Sequence, residues 1–179
     1  LAFTRAFVAA ATTEPQLALV ADLLDGTVVW EGLAIDTDLR WFLLQRLVVK
    51  GLLADDAIEA ELARDDTATG RRQAAVARAA RPTAVAKALA WADVIDRTDL
   101  PNAIMESTIT GFMQPDQVDL LEPYRERYFA DLARVWDDRP NEMAQDITVG
   151  LFPMMLIDDE TVAATDLFGR SAVCWKLGT

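Results

Sequence analysis

Few side chains in this sequence are placed to do chemistry, and arginine supplies most of them. Arg40 shares a helical face with Leu44, Leu47 and Gly51, at spacings of i, i+4, i+7 and i+11, so a guanidinium stands in an apolar stripe. Burying it unpaired would be costly. Two roles answer that cost. One is a structural ion pair, with Asp36 one turn earlier or with an acid on the next repeat. The other is a bidentate site for a ligand carboxylate in a concave surface. Arg71, Arg72 and Arg78 gather on one helix behind Thr69-Gly70, where a helix start with cations could take a carboxylate or phosphate. Gly70 alone makes no phosphate loop, and a solvated basic face on an acidic molecule is the plainer reading. Arg40 and Arg72 are the two candidates for a substrate-facing role.

The sequence contains no histidine. A catalytic zinc site nearly always uses one, and Ser–His or Cys–His nucleophiles need it as base, so no catalytic and no metal-ligating residue is expected in this chain. The acid pairs Asp55-Asp56, Asp65-Asp66 and Asp158-Asp159 stand where helices begin or end, and capping worth about 1 kcal/mol explains those at the starts. No calcium-loop spacing accompanies them. Tyr124, Tyr128, Phe129 and Trp136 form an aromatic row at helical spacing that reads as core rather than as a cofactor box, and Met154-Met155 reads as packing.

Seventeen basic residues against twenty-nine acidic ones give a net charge of −12, a field that disfavours nucleic acid and anionic membranes as partners. Apolar runs are short and broken by charge, and no membrane span or signal peptide is legible. Cys174, the single cysteine, fits a reducing compartment, and a cytoplasmic location is expected. The start at Leu1, already in helical pattern, suggests a piece of something longer.

The elements that must position these groups are helices. Asp36 to Gly51 opens with a capping acid, runs apolar for three turns and stops at glycine; its apolar side chains point in nearly every direction, so it needs neighbours on several sides. Before it, Phe3, Phe7 and Ala11 mark one helical stripe, and Thr13, Pro15 and Gln16 open a second helix that ends at Asp25-Gly26. Thr27 to Ile35 is read as a loop tucking Trp30 under its neighbours. After it, Asp55 or Asp56 caps Ala57 to Arg64, Arg71 to Ala80 follows, and Thr83 caps Ala84 to Asp96 with Val85, Leu89 and Ala92 inward and Trp91 at a flank. Ile104, Thr108 and Phe112 trace the next stripe. Pro123 opens an amphipathic helix carrying Tyr124, Tyr128 and Leu132; Asn141 to Gly150 follows, and Asp158 or Asp159 caps the last helix to Phe168.

With roughly eleven helices and no strand pair, the class is all-α. Caps and prolines at Pro15, Asp55, Thr83, Pro115 and Asp158 recur every 28 to 43 residues, which suits a superhelical stack of HEAT-like antiparallel helix pairs over residues 1–168. Residues 169–179 break the pattern and read as a non-native or disordered tail, Lys176-Leu177-Gly178-Thr179 being what adjoining polylinker sites would encode.

Several segments carry a resemblance. Gln16-Leu17 through Gly26, Glu31-Gly32-Leu33-Ala34-Ile35-Asp36-Thr37-Asp38-Leu39-Arg40-Trp41, Glu61-Leu62-Ala63-Arg64-Asp65 with Thr67-Ala68-Thr69-Gly70, Gly111-Phe112-Met113-Gln114-Pro115-Asp116-Gln117 with Pro123-Tyr124, and Asn141-Glu142-Met143-Ala144-Gln145 with Gly150-Leu151-Phe152-Pro153 together resemble the C-terminal helical domain of actinobacterial aminopeptidase N, a gluzincin zinc metallopeptidase. The resemblance implies a non-catalytic domain whose concave side encloses the chamber and helps select peptides, while a separate catalytic domain holds the zinc. Its partners would be that domain and the peptide substrate. The family's H-E-x-x-H and G-A-M-E-N motifs are missing here, so this chain alone is expected to be inactive. A freestanding helical-repeat adaptor for protein partners is the alternative.

Overall fold

Asp36 accepts the Leu39 backbone N–H at 2.8 Å through its side chain, and Gly51 adopts φ 73° just past the other end, so the helix between them starts and stops where the sequence places its punctuation. The computed structural model describes residues 1–170, and the described chain is all-helical. In order come α1 (Ala2–Ala10), α2 (Glu14–Asp25), α3 (Thr37–Val49), α4 (Asp55–Arg64), α5 (Ala68–Ala79), α6 (Ala84–Ile95) and α7 (Asn102–Phe112). After a 3-10 turn (Pro115–Gln117) follow α8 (Val118–Leu121), α9 (Tyr124–Asp138), α10 (Asn141–Gly150) and α11 (Asp159–Gly169). Of the segment expected to be a tail, Gly169 closes α11, and 171–179 lie outside the described residues.

Helix α3 has the neighbours its apolar circumference requires: α1, α2, α4 and α5 all pack on it. Its two sides feed different cores. Leu39, Leu43 and Leu47 join Val8, Leu17, Val20 and Leu23, while Trp41, Leu44 and Val48 join Ile58, Ala74 and Ala77. A third and larger core, around Trp91, Met105, Phe112, Tyr124 and Tyr128, holds α6 to α10. The expected loop after α2 is present, and Trp30 in it meets Phe7 edge to face at 6.2 Å.

Helices α5 and α7 lie almost backbone to backbone. The alanines of α5 make this feasible, and Gly111 of α7 makes it necessary: a Cβ there would stand 2.1 Å from the Val76 carbonyl oxygen. Crossing over both helix ends is Lys87 of α6, fully buried, whose ammonium donates to the carbonyls of Ala79 at 3.0 Å, Phe112 at 2.8 Å and Gly111 at 3.5 Å. The last carbonyls of a helix have no partner within it and carry its negative dipole end, so one cation satisfies two termini at once.

The same device recurs. Gln117 Nε2 donates to Val49 O and Ala80 O, joining the ends of α3 and α5, and Arg139 donates to Val94 O and Ile95 O at the end of α6. Arg46 reaches Ala11 O after α1, and Arg40 reaches Leu24 O near the end of α2.

Four expectations are corrected. In α1 the inward face is Thr4, Val8 and Ala11, leaving Phe3 93 % exposed. In α6 the inward face carries Lys87, Trp91 and Val94, leaving Val85 and Leu89 exposed; the carbonyls waiting for the ammonium reverse the usual preference. Neither Asp55 nor Asp56 caps α4, because Ala54 occupies that position and Asp55 pairs with Arg81 instead. Met154 is exposed, and only Met155 packs against the core.

Two measurements follow. Gly111→Ala should cost about 3 kcal/mol in urea unfolding, whereas Gly169→Ala, with nothing near its added methyl, should cost a small fraction of that. Burial pushes the Lys87 ammonium down to about 8 from its ordinary 10.5. Below the lower value the group is charged in both states; between the two the folded chain has lost a proton that the unfolded chain keeps, so stability rises with pH. The stability difference between the natural chain and Lys87→Met should therefore shift in favour of the natural chain from pH 7 to pH 10. A flat difference would show that the three carbonyls hold the proton throughout.

Candidate functional site

Arg40 leaves α3 between α2 and α4. Its Nε and Nη2 meet the two carboxylate oxygens of Glu61 at 2.7 Å each, and Nη1 donates to Leu24 O at 2.9 Å. Glu61 sits on α4 and is 4 % exposed, so the pair is a two-pronged, largely dry contact. Those hydrogen bonds raise the proton affinity of the guanidinium above its ordinary value. The partner is thus the acid of the following helix, and Asp36 caps α3 instead. On its open side Arg40 borders a hollow of about 250 Å³ with Val28, Trp30, Leu33 and Ile35.

Arg72 opens the second turn of α5, after Thr67 has capped that helix through Gly70 N at 3.0 Å. It is exposed, and its Nη2 donates to Thr69 Oγ1 at 3.0 Å. The other arginines of the helix carry acids: Arg71 pairs with Asp66 at 2.7 Å and Arg78 with Glu59 at 2.5 Å. Arg40 and Arg72 share no partner, so the structure does not assemble them into one anion site. Asp65, beside them, accepts Trp41 Nε1 at 2.9 Å and Thr67 Oγ1 at 2.7 Å and is committed to the α3–α5 junction.

The aromatic row is core. Tyr124 lies 5.0 Å from both Phe112 and Trp91, ring centre to ring centre, and Tyr128 donates its hydroxyl to Thr148 O at 2.7 Å. Burial pushes the Tyr128 hydroxyl well above its ordinary pKa, so it stays protonated and serves as a donor. Trp136 Nε1 donates to Thr148 Oγ1 at 3.0 Å, fixing α9 on α10. Among the described residues no three His, Cys, Asp or Glu side chains converge to hold a metal ion.

A groove of about 530 Å³ runs between α4 and α6 over a floor of α5 and α7. Ala75 and Ala79 form part of that floor and Ala86 and Ala90 part of the α6 wall, and Arg78, Arg81 and Arg97 stand at its rim beside Asp55, Glu59 and Asp93. Sequence reasoning missed it, having assigned Val85 and Leu89 to the core. The readable signal was that α6 is apolar on every side, with Lys87 and Asp93 its only charges.

Against known proteins, the model of the ERAP1-like C-terminal domain family matches residues 1–172. A curated aminopeptidase N from Streptomyces lividans is 52 % identical over 172 residues, 96 % of this chain. The chain spans 20 % of that relative's length.

The Arg40–Glu61 pair gives a direct test of what Arg40 does for the fold. Arg40→Met leaves Glu61 buried without a cation and should cost about 3 kcal/mol in urea unfolding, while Arg40→Met with Glu61→Leu should restore most of it. Equal losses in the single and double variants would show that the pair contributes nothing specific.

Proposed function

The chain belongs to the ERAP1-like C-terminal domain family, and from that premise we propose that it is a non-catalytic wall of a larger zinc aminopeptidase. In this reading it helps enclose the chamber where a peptide loses its N-terminal residue. The observation that carries it is the 52 % identity along 96 % of the chain to a fifth of an aminopeptidase N. Zinc chemistry belongs to the separate catalytic domain of the parent: a sequence without histidine, whose described acids do not converge, does not fit that ion. We place the parent in the cytoplasm on the sequence grounds given above. No described helix is long and apolar enough to cross a membrane. A freestanding adaptor has less support, because the matched relative carries this sequence as a fifth of a longer chain.

The helices are read as HEAT-like pairs, α2 with α3, α4 with α5, α6 with α7 and α9 with α10. Each pair is in contact, and α3, α5, α7 and α10 touch in sequence as one row. Close packing of α5 on α7, against an open groove between α4 and α6, bends such a stack toward the α3–α5–α7 row. That row is then the concave, peptide-facing side. Arg72 is exposed on α5, a helix of this row, with Thr69 of its own helix as its hydrogen-bond partner, and it is the arginine we assign to the substrate. Arg40 belongs to the same row, but its guanidinium turns toward α2 and α4, so its part in substrate selection is through the hollow it borders.

In the full-length enzyme carrying this sequence, Arg72→Ala should lower kcat/KM for long peptides by about tenfold, the effect of one lost charged hydrogen bond, and leave an aminoacyl anilide unaffected. The 179-residue chain alone should release nothing from that anilide. Equal loss on both substrates would contradict a substrate-facing Arg72, and turnover by the isolated chain, with host peptidases excluded, would contradict the non-catalytic role.

A further inference from the structure

Residues 111–117, one of the stretches that carry the family resemblance, reach further across the stack than any neighbouring turn needs to. Gly111 admits α5 to the backbone of α7, and the carbonyls of Gly111 and Phe112 receive Lys87. Just past α7, Asp116 accepts Arg46 Nη1 at 2.7 Å and Lys50 Nζ at 3.1 Å, both cations standing at the end of α3. Gln117 is 5 % exposed, and its Nε2 donates to Val49 O at 3.1 Å and to Ala80 O at 2.8 Å. The turn that follows α7 thus passes α5 and takes hold of α3, with its glutamine seated where α3 and α5 both end.

The other contacts between α3 and α5 are of a different kind. Trp41, Leu44 and Val48 lie against Ala74 and Ala77, large side chains on small ones, and such apolar contact tolerates sliding. Trp41 Nε1 bonds Asp65, and Gln45 bonds Gln73, each joining only those two segments. Gln117 comes from outside the pair, so it relates α3, α5 and α7 to one another at once. Its Oε1 is buried and meets no donor among the described residues. A buried acceptor without a donor works against stability, so what recommends glutamine here is the pair of carbonyls that its other end joins.

We propose that Gln117, steadied by Asp116, is a positioning residue for peptide selection: it sets α3 at a fixed spacing from α5 and α7, and so sets the width of the row on which Arg72 stands. This rests on the reading that the α3–α5–α7 row faces the peptide. Gln117 acts through the helices and does not itself touch the substrate.

Two measurements test it. In the 179-residue chain, spin labels at Asp38→Cys on α3 and Glu106→Cys on α7, both exposed positions, with Cys174→Ser, report the spacing across the row. Gln117→Met keeps the bulk and removes both donors, and it should shift or broaden that distance distribution. Gln117→Lys should narrow it again, because an ammonium can serve two helix ends as Lys87 does. In the full-length enzyme, Gln117→Met should lower kcat/KM for long peptides about fivefold, chiefly through KM, and leave an aminoacyl anilide unaffected, with recovery in Gln117→Lys. Asp116→Asn, at a more open position, should act in the same direction and serves if Gln117→Met does not fold. An unchanged distance distribution would overturn the proposal whatever the row faces, and so would equal loss on peptide and anilide. A shifted distribution with normal peptide turnover, in an enzyme that Arg72→Ala does impair, would overturn the role in selection alone. Indifference of peptide turnover to both Arg72→Ala and Gln117→Met would overturn the underlying reading and this proposal with it.

Discussion

The contact on which most of this structure depends is an ammonium group among carbonyls. Lys87 binds the ends of α5 and α7 from within α6, and because Gly111 lets those two helices meet at the backbone, their termini are near enough for one side chain to serve both. Helix ends are where a stack of short helices is most exposed to failure, since each leaves carbonyls without partners. This chain answers with side chains from the neighbouring element: Arg46, Arg40, Gln117, Lys87 and Arg139 each close an end that is not their own. The caps are therefore also the joints. A polar group that satisfies one helix and belongs to another fixes the register between them more strictly than apolar contact does.

Much of this was legible before any coordinates, and the reasons differ by element. Capping residues act on the chain within three or four positions of themselves, so Thr13, Asp36, Thr83 and Asp158 mark their helix starts correctly. The amphipathic α9 also reads well because charge and apolarity alternate cleanly, and Tyr124, Tyr128 and Leu132 are buried as expected. Helix α6 does not. Val85, Leu89 and Ala92 repeat at the same period as Lys87, Trp91 and Val94, and a lysine normally decides such a tie by facing water. What reversed it lies 24 residues away, in the carbonyl of Gly111, and near it in that of Phe112, and no local pattern announces that. The partner of Arg40 was open for a related reason: Asp36 and Glu61 were both eligible until the direction of the guanidinium was known.

The two sides of the stack divide the functional questions. On the α3–α5–α7 row, Gln45 and Gln73 bond to each other, and Arg72 is exposed with Thr69 as its partner. On the α4–α6 side Val85 and Leu89 are exposed beside an open groove lined by several alanines. That asymmetry follows from packing. The α5–α7 contact drawn together by Gly111 and Lys87 leaves little room between those helices, while the groove between α4 and α6 stays open.

The central claim, that this domain meets the peptide with its α3–α5–α7 row, is tested most directly by amide hydrogen exchange on the full-length enzyme with and without a long, slowly hydrolysed peptide. Bound peptide should slow exchange in α5 around Arg72 and along the exposed side of α7, and leave the outer side of α6 unchanged. Protection confined to α6 and the groove beside it, or to no part of this domain, would contradict the account.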